Sequence, residues 1–231
     1  MKSIFLSLLT VTLSLGSATL ALGQDGPRHV GVQLELIEVN QTLAATLLSQ
    51  PQETIDATAL REQLDALIEE SQAKVIETTY VVTRSGQRAK TESVLENVYP
   101  VEFDPAELPQ QVTGPLKADD VISAPAHATT HEMRPEGTKL QVDPQIGPDG
   151  ISIDLSLAPE IVHQLGHSTH GQNEGEVNLP VFRSQRGTTN ISVISGDSAL
   201  LGIQSVRNKD GTNSGRYHLA FVTATVKTAK K

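Results

Sequence analysis

The sequence predicts a mainly β protein of the α+β class, in which antiparallel β-hairpins accompany one amphipathic helix near the N-terminus. Three patterns support this prediction. Apolar and polar residues alternate in most segments, a helical period occurs once, and turn residues separate the alternating segments. The composition suits a globular chain, because 38% of the 231 residues are hydrophobic and 19% are charged.

The first 23 residues are predicted to be a signal peptide. Lys2 gives a positive start, and residues 4–15 (IFLSLLTVTLSL) form an apolar run that is short for a bilayer span. Small residues precede Gln24, so we expect cleavage after Gly23, with cleavage after Ala21 as the alternative. The exported product would be one domain that comprises residues 24–231.

The N-terminal half of this domain predicts a strand, the helix and two further strands. Residues 30–39 (VGVQLELIEV) alternate as in a half-buried strand. Residues 56–72 place four apolar side chains at helical spacing, opposite acidic ones. Residues 74–83 and 87–98 are rich in residues that favour strands, and Arg84-Ser85-Gly86 between them indicates a hairpin turn. The helical apolar residues are Leu60, Leu64, Leu67 and Ile68.

Residues 99–136 are predicted to be a Pro-rich connector. Six prolines are spaced too closely here for regular structure, which favours an extended loop or a segment along a sheet edge. Such a length is unusual within a compact domain, so we expect the connector to lie on another subunit or a partner.

The C-terminal half predicts strands separated by turns. The strongest hairpin signal is Gly147-Pro148-Asp149-Gly150, which joins two alternating segments. A polar loop over residues 163–176, a turn at Gly196-Asp197 and a turn over residues 208–215 separate the others. The predicted strands span residues 138–146, 151–158, 179–186, 187–195, 199–206 and 217–228.

Composition limits the classes of function. The formal net charge is -9, with 27 Asp+Glu against 18 Lys+Arg, and the basic residues do not cluster, so we expect no nucleic-acid partner. The chain has no Cys, which removes disulfides, thiolate nucleophiles and Cys-ligated zinc. Its stability must therefore come from its own core or from neighbouring subunits.

The order of the elements resembles the C-terminal secretin domain of type II and type III secretion channels and type IV pilus channels. Residues 32–40 (VQLELIEVN) resemble the strand that opens that domain. Residues 137–159 (GTKLQVDPQIGPDGISIDLSLAP) resemble the family hairpin, G-x-x-L-x-V-x-P-x-I-x-x-D-G-x-I-x-L-x-L-x-P. Residues 188–202 (TTNISVISGDSALLG) resemble the next strand, turn and strand, and residues 219–226 (LAFVTATV) resemble the closing strand.

This resemblance implies a non-enzymatic exported protein without a cofactor or a small-molecule substrate. We expect a short form that lacks the N-terminal ring modules of secretins and contributes to, or associates with, an outer-membrane secretion or pilus channel. The expected partners are further copies of the chain or a full-length secretin, and the expected location is the periplasm or the outer membrane.

A second hypothesis concerns His163, His167 and His170, which stand at i, i+4 and i+7. Imidazoles at this spacing could bind zinc, nickel or copper. Gly166 and Gly171 disfavour a continuous helix, so a solvated polar loop is the other interpretation. The alternative function is a monomeric periplasmic metal- or ligand-binding module that uses this loop.

Two further patterns have simpler interpretations. The letters GDSAL at residues 196–200 are similar to the serine motif of GDSL hydrolases, but a turn between two strands accounts for them, and no catalytic residue is predicted. His218 alternates with core positions, so we expect its ring on the solvent-facing side of the last strand.

Overall fold

The computed structural model describes residues 28–49, 54–104, 127–171 and 176–228. The predicted signal peptide lies outside the described residues. The elements in chain order are β1 (Arg28–Asn40), α1 (Gln41–Leu48), α2 (Thr58–Glu69), β2 (Ala73–Arg84), β3 (Ala89–Asp104), β4 (His127–Ile146), β5 (Ser152–His170), β6 (Val177–Arg186), β7 (Thr189–Ile194), β8 (Ser198–Arg207) and β9 (Asn213–Thr228).

The strands form two antiparallel sheets. Sheet 1 has the order β2-β1-β9-β8, and sheet 2 has the order β3-β4-β5-β6. β7 also pairs with β5, and it continues the line of β6 along the same edge. The two short strands meet at Gly187, whose N–H donates to the Pro159 carbonyl at 3.2 Å. Sheet 2 is therefore four strands wide where β3, β4, β5 and the β6–β7 line pair side by side.

Sheet 1 lies between sheet 2 and the helices, because successive residues of a strand face opposite sides. On β9, Val222 and Ala224 pack against sheet 2, whereas Leu219 and Phe221 pack against the helices. The core between the sheets contains Val30, Val32, Leu34, Leu140, Val142, Ile153, Leu155, Leu157, Val193, Ala199, Val222 and Ala224. The core under the helices contains Ile37, Val39, Ala44, Leu47, Ala57, Leu60, Leu64, Ala73, Leu219 and Phe221.

The predicted helix is confirmed as α2, and the structure adds a second helix, α1. Leu60 and Leu64 of α2 are buried, as their spacing requires. Helix α1 follows β1 directly, and the Asn40 side chain caps it by accepting from the Leu43 N–H at 2.8 Å. Only two residues of α1 are buried, which is too few for a visible helical period. No helix among the described residues has the length and apolarity that a membrane span needs.

The hairpin predicted at residues 84–86 is wrong. β2 pairs with β1 in sheet 1, whereas β3 pairs with β4 in sheet 2. The chain changes sheets here, since the Gly86 N–H donates to the Pro144 carbonyl at 2.7 Å and the Ser85 N–H donates to the Arg28 carbonyl at 3.2 Å. The turn residues were recognised correctly, but a turn sequence does not say whether the strands on either side pair with each other.

The predicted connector is wrong at both of its ends. β3 continues to Asp104 and β4 begins at His127, and the two strands pair across this region. A register shift between Pro100 and Glu102 accommodates one proline, and Pro135 lies where β4 no longer pairs with β5. Residues 105–126, between the two ends, lie outside the described residues.

The turns predicted between β4 and β5 and between β7 and β8 are confirmed. In the β4–β5 turn, Gly150 has φ +77° and the Asp149 carboxylate accepts from the Ser152 N–H at 2.9 Å. The Asp197 N–H donates to the Ile194 carbonyl at 3.0 Å in the turn between β7 and β8. β1, β6, β7, β8 and β9 lie at the positions that the alternating segments indicate.

Candidate functional site

The two sheets leave their outermost strands without a neighbour among the described residues. These strands are β2 and β8 in sheet 1, and β3 and the β6–β7 line in sheet 2. β2 contacts β3 across the layers, and β8 contacts β7. The sandwich therefore has a β2–β3 side and a β6–β8 side, and each side presents the edges of both sheets.

The β2–β3 side is acidic and apolar. β2 and β3 together carry five acidic and three basic residues, and four of the acidic residues lie on β3. Six of the large hydrophobic residues that are exposed in the described part of the chain lie on these two strands: Val75, Tyr80, Val82, Leu95, Val98 and Val101. Exposed apolar side chains along an edge strand are typical of interaction surfaces rather than of monomer edges.

Leu95 is an exposed apolar residue of β3 that lies beyond the residues through which β4 pairs with β5. Its partner on β4 is Glu136, whereas the pairing of β4 with β5 ends at Gly137. Tyr99, on the same face of β3, has its ring 5.8 Å from the ring of Phe182 on β6. Because Phe182 lies on the face of β6 opposite to Gln185, this part of β3 faces the β5–β6 pair rather than sheet 1. The side chain of Leu95 is 66% exposed on this outermost strand.

The β6–β8 side is basic. β6, β7 and β8 contain three arginines and no acidic residue. Arg186 pairs with Glu160 and remains 64% exposed, and Arg183 donates to the Arg207 carbonyl at 3.3 Å. The two sides of the sandwich thus carry opposite charges.

A slot opens between the sheets on the β6–β8 side. Its volume is about 110 Å³, and its mouth lies between the exposed Gly187 and Gly202. A Cβ atom added at Gly202 would meet no atom within 4 Å, which agrees with open space beside β8. The apolar side chains in the lining are Leu34, Leu36, Pro159, Ile161, Leu201 and Ala220.

At one end of the molecule, sheet 2 divides into two arms that cross. Pairing of β4 with β5 ends at Gly137 and Val162, beyond which β3 pairs only with β4, and β5 only with β6. Arg134 of the first arm lies over the Phe182 ring at 5.2 Å and donates to the Ser184 hydroxyl at 2.8 Å. The arms are therefore held together by side chains instead of a backbone ladder.

A polar cluster joins the sheets beside the slot. His218 was expected to face solvent, but it is 1% exposed and lies between the sheets, so that prediction is wrong. Its Nδ1 lies 2.7 Å from Oε1 of Gln185 on β6, and its Nε2 lies 3.2 Å from Oε2 of Glu38 on β1. Burial lowers the pKa of His218, and the hydrogen bond to Glu38 opposes this only in part.

The predicted polar loop at residues 163–176 is wrong over most of its length, since β5 continues to His170. His163 is half-buried opposite Arg183 of β6, and burial followed by the charge of Arg183 lowers its pKa. A bulge between Gln164 and His167 lets the strand continue through Gly166.

The three histidines do not form a metal-binding set with other side chains in the described residues. His167 contacts Gln164 at 3.3 Å, and His170 is exposed opposite Val177. Within residues 28–49, 54–104, 127–171 and 176–228, no three His, Asp or Glu side chains are close enough to hold an ion. Metal binding by these histidines stays a prediction, and the described part of the chain brings no set of three ligands together to support it.

Sequence patterns alone did not single out Leu95, Gln185 or the arginines of β6 as functional candidates. One sequence signal was present for Leu95. Val94 and Leu95 are adjacent apolar residues of a strand, so their side chains must lie on opposite faces of the sheet. The charge difference between the two sides had no such signal, because it depends on which strands become edges.

The comparisons with known proteins identify a family. A family model described as "Secretin: Bacterial type II and III secretion system protein" matches residues 66–214. No curated protein matches the chain.

Solved structures of secretins are similar to the chain at low identity. The Salmonella SPI-1 type III secretion injectisome secretin InvG is 14% identical with a TM-score of 0.45, and the match covers 89% of this chain and 66% of that one. The type II secretin GspD of enteropathogenic Escherichia coli is 16% identical with a TM-score of 0.43, covering 88% and 70%. The V. cholerae type IV competence pilus secretin PilQ is 15% identical with a TM-score of 0.37, covering 87% and 59%. The chain thus spans just under two thirds of the InvG chain.

Proposed function

The chain belongs to the secretin family of bacterial secretion channel proteins, and from this premise we propose that it is a non-enzymatic, exported subunit that works by assembly. Its edge strands pair with further copies of the chain or with a full-length secretin. It contributes to, or associates with, an outer-membrane secretion or pilus channel.

The observation that carries this proposal is the matched edges of the two sheets. The path of paired strands across each sheet has four strands, all antiparallel, so its first and last strands run in opposite directions. When β2 of one copy approaches β8 of the next, the new pair is therefore antiparallel as well. The same holds for β3 and the β6–β7 line of sheet 2.

Backbone hydrogen bonds would supply much of the stability of such a joint. An edge strand presents a row of unpaired N–H and C=O groups, which a neighbouring strand satisfies. Each hydrogen bond contributes roughly 0.5–1.5 kcal/mol net. A few such bonds along the 10 residues of β8 would stabilise a pair of copies. Burial of the exposed apolar side chains of β2 and β3 in the contact would stabilise the pair further.

The proposed location follows from the predicted signal peptide and from the family. Secretins are channel proteins of the bacterial envelope, which supports export of this chain to the periplasm or the outer membrane. The absence of Cys from an exported chain also favours stabilisation by neighbouring subunits.

Gel filtration with light scattering tests the proposal. We expect the purified protein to elute as a ring-sized or larger oligomer, or to form one when mixed with its cognate channel. Membrane fractionation and cross-linking in cells should place it with the envelope in contact with itself or with a secretin. A strict monomer under both conditions would contradict the proposal and favour a monomeric binding module.

A further inference from the structure

The slot between the sheets exists where small residues of the two sheets face each other. Gly202 of β8 pairs with Ala220 of β9, and both belong to the slot lining on the side of sheet 1 that faces sheet 2. On the opposite wall, Gly187 lies between β6 and β7 beside Pro159 of β5. Because packed sheets lie about 10 Å apart, these short residues leave a void where larger side chains would interdigitate.

The slot has an apolar end and a polar end. Along β9, Val222 belongs to the core between the sheets, Ala220 lines the slot, and His218 belongs to the polar cluster. Leu34, the partner strand's neighbour of Val222, lines the apolar end, whereas Gln185 lines the polar end beside His218. This arrangement suits a molecule that is apolar along most of its length and polar at one end.

A polar atom at the second end lacks a partner. Oε1 of Gln185 lies 2.7 Å from Nδ1 of His218, whereas Nε2 of Gln185 is buried and makes no hydrogen bond with any residue that the structure describes. A buried N–H group without a partner costs free energy, which an acceptor on a bound molecule would recover. The arginine of the lining, Arg186, already pairs with Glu160, so an uncharged acceptor fits this end better than a carboxylate.

We propose that the slot binds a small uncharged molecule that has an aliphatic tail and a carbonyl group near one end. The tail lies between Leu34, Pro159 and Ala220, and the carbonyl oxygen accepts from Nε2 of Gln185. An apolar cavity of about 150 Å³ holds a benzene molecule. A slot of about 110 Å³ with an open mouth therefore suits a tail of a few carbon atoms.

This binding site goes beyond the proposed function. Edge strands pair in the plane of their own sheet, whereas the slot lies between the two sheets. Binding of a small molecule therefore needs no second copy of the chain, and it is measured independently of assembly.

Saturation-transfer NMR titrations of the purified protein test the site, with methyl butyl ketone as the probe and benzene as an apolar reference. The ketone should bind, and its affinity should exceed that of methyl ethyl ketone by up to about fourfold for each added methylene group. Hexylammonium should not bind, because it carries a charge and has no acceptor.

Substitutions that fill the slot locate the bound probes. Gly202→Leu and Gly187→Leu act from opposite walls, and each should abolish binding of both the ketone and benzene. Neither glycine has a positive φ, so the backbone accepts a side chain at both positions. The matched control is Asn190→Leu, because Asn190 is exposed and pairs with Ser156 on the outer face of sheet 2.

Gln185→Met tests the polar end while the slot stays apolar and similar in size. The change removes the N–H donor, so it should weaken binding of methyl butyl ketone about two- to tenfold. Benzene needs no hydrogen bond, and its affinity should stay the same. Retained benzene binding also shows that the slot is still formed in this variant.

Loss of both probes in the leucine variants, together with a selective loss of the ketone in Gln185→Met, supports the site. The inference is wrong if the ketone does not bind the natural protein, or if the leucine variants bind it as well as Asn190→Leu does. It is also wrong if Gln185→Met binds the ketone as tightly as the natural protein or loses benzene equally. The oligomer mass, measured separately, decides the proposed function.

Discussion

Nε2 of His218 lies 3.2 Å from Oε2 of Glu38, and this contact joins the last strand to the first between the two sheets. Arg216 also reaches Glu38, at 3.2 Å, and Gln185 of the opposite sheet contacts the other ring nitrogen of His218. The carboxylate therefore serves as the centre of a cluster that connects sheet 1 with β6.

We expect the free energy of unfolding to decrease as the pH falls from about 7.5 to about 5.5. Burial lowers the pKa of His218 and of His163 from the ordinary value of 6.5, so the unfolded chain binds more protons than the folded chain in this window. The stabilisation from the two neutral rings is fully present above pH 6.5. It is lost as the pH falls below that value, because the unfolded chain takes up protons before the folded chain does. Urea denaturation across this range measures it.

The double variant His163→Asn with His218→Gln should show a flatter pH profile than the natural protein. His127→Gln is the control, because His127 is 69% exposed beside Asp104, and its profile should match that of the natural protein. Equal slopes for the double variant and the natural protein would show that the two buried rings do not cause the pH dependence.

Arg61 is expected to hold α2 on sheet 1. Its Nε and Nη2 bind the two carboxylate oxygens of Glu35 at 2.8 and 3.1 Å, and both side chains are largely buried, at 15% and 13% exposed. Arg61→Ala leaves Glu35 unpaired and should cost about 1–3 kcal/mol. Arg61→Lys should also cost measurable stability, because an ammonium group cannot bind both oxygens in this way.

Thermal unfolding of the two Arg61 variants checks this prediction. The comparison is Arg88→Ala, which removes a 3.5 Å contact with Asp143 from a side chain that is 66% exposed. That change should stay within about 0.5 kcal/mol of the natural protein. A loss at Arg61 no larger than the loss at Arg88 would show that the Glu35 contact is not what anchors the helix.

Gly137 should tolerate no side chain. It has φ +128°, and a Cβ atom there would lie 2.1 Å from the Ser93 carbonyl oxygen and 3.0 Å from Val94 Cα. Both obstacles are backbone atoms of β3, so β3 and β4 would have to separate where sheet 2 divides into its arms. We expect Gly137→Ala to cost at least about 2 kcal/mol.

Chemical denaturation measures that cost, with Gly202→Ala as the control in a strand that has room for a Cβ atom. Hydrogen exchange should show the loss of protection concentrated in β3 and β4. Similar stability for the two alanine variants would contradict the predicted clash.

The association of copies should depend on charge. β2 and β3 together carry five acidic and three basic residues, whereas β6, β7 and β8 carry three arginines and no acidic residue. Glu96→Arg should therefore weaken association, by about 0.2–1 kcal/mol, and the difference should shrink at high salt. Light scattering at two ionic strengths measures it, and association that changes neither with salt nor with Glu96→Arg would contradict the proposed pairing of the edges.

Local patterns predicted most of the strands, and tertiary pairing decided the features that they missed. The alternation of β1 and the GPDG turn between β4 and β5 are local signals, and the structure confirms both. The Ser85-Gly86 turn looks the same in sequence whether it joins paired strands or moves the chain between sheets, because the difference lies in its bonds to Arg28 and Pro144.

The candidate site was harder to predict for the same reason. His218 alternates with core residues of β9, and only the position of sheet 2 over that face buries it. The histidines of β5 suggested a loop, since Gly166 and Gly171 disfavour a helix, but a strand with one bulge also accommodates Gly166. The opposite charges of the two sides depend on the strand order, which no single segment encodes.

Sedimentation velocity over a range of concentrations tests most directly whether this chain works through its unpaired sheet edges. Pairing of the edges predicts species much larger than the monomer that grow with concentration, and Leu95→Asp should reduce their size. A single monomeric species at every concentration, unchanged when a full-length secretin is added, would contradict it.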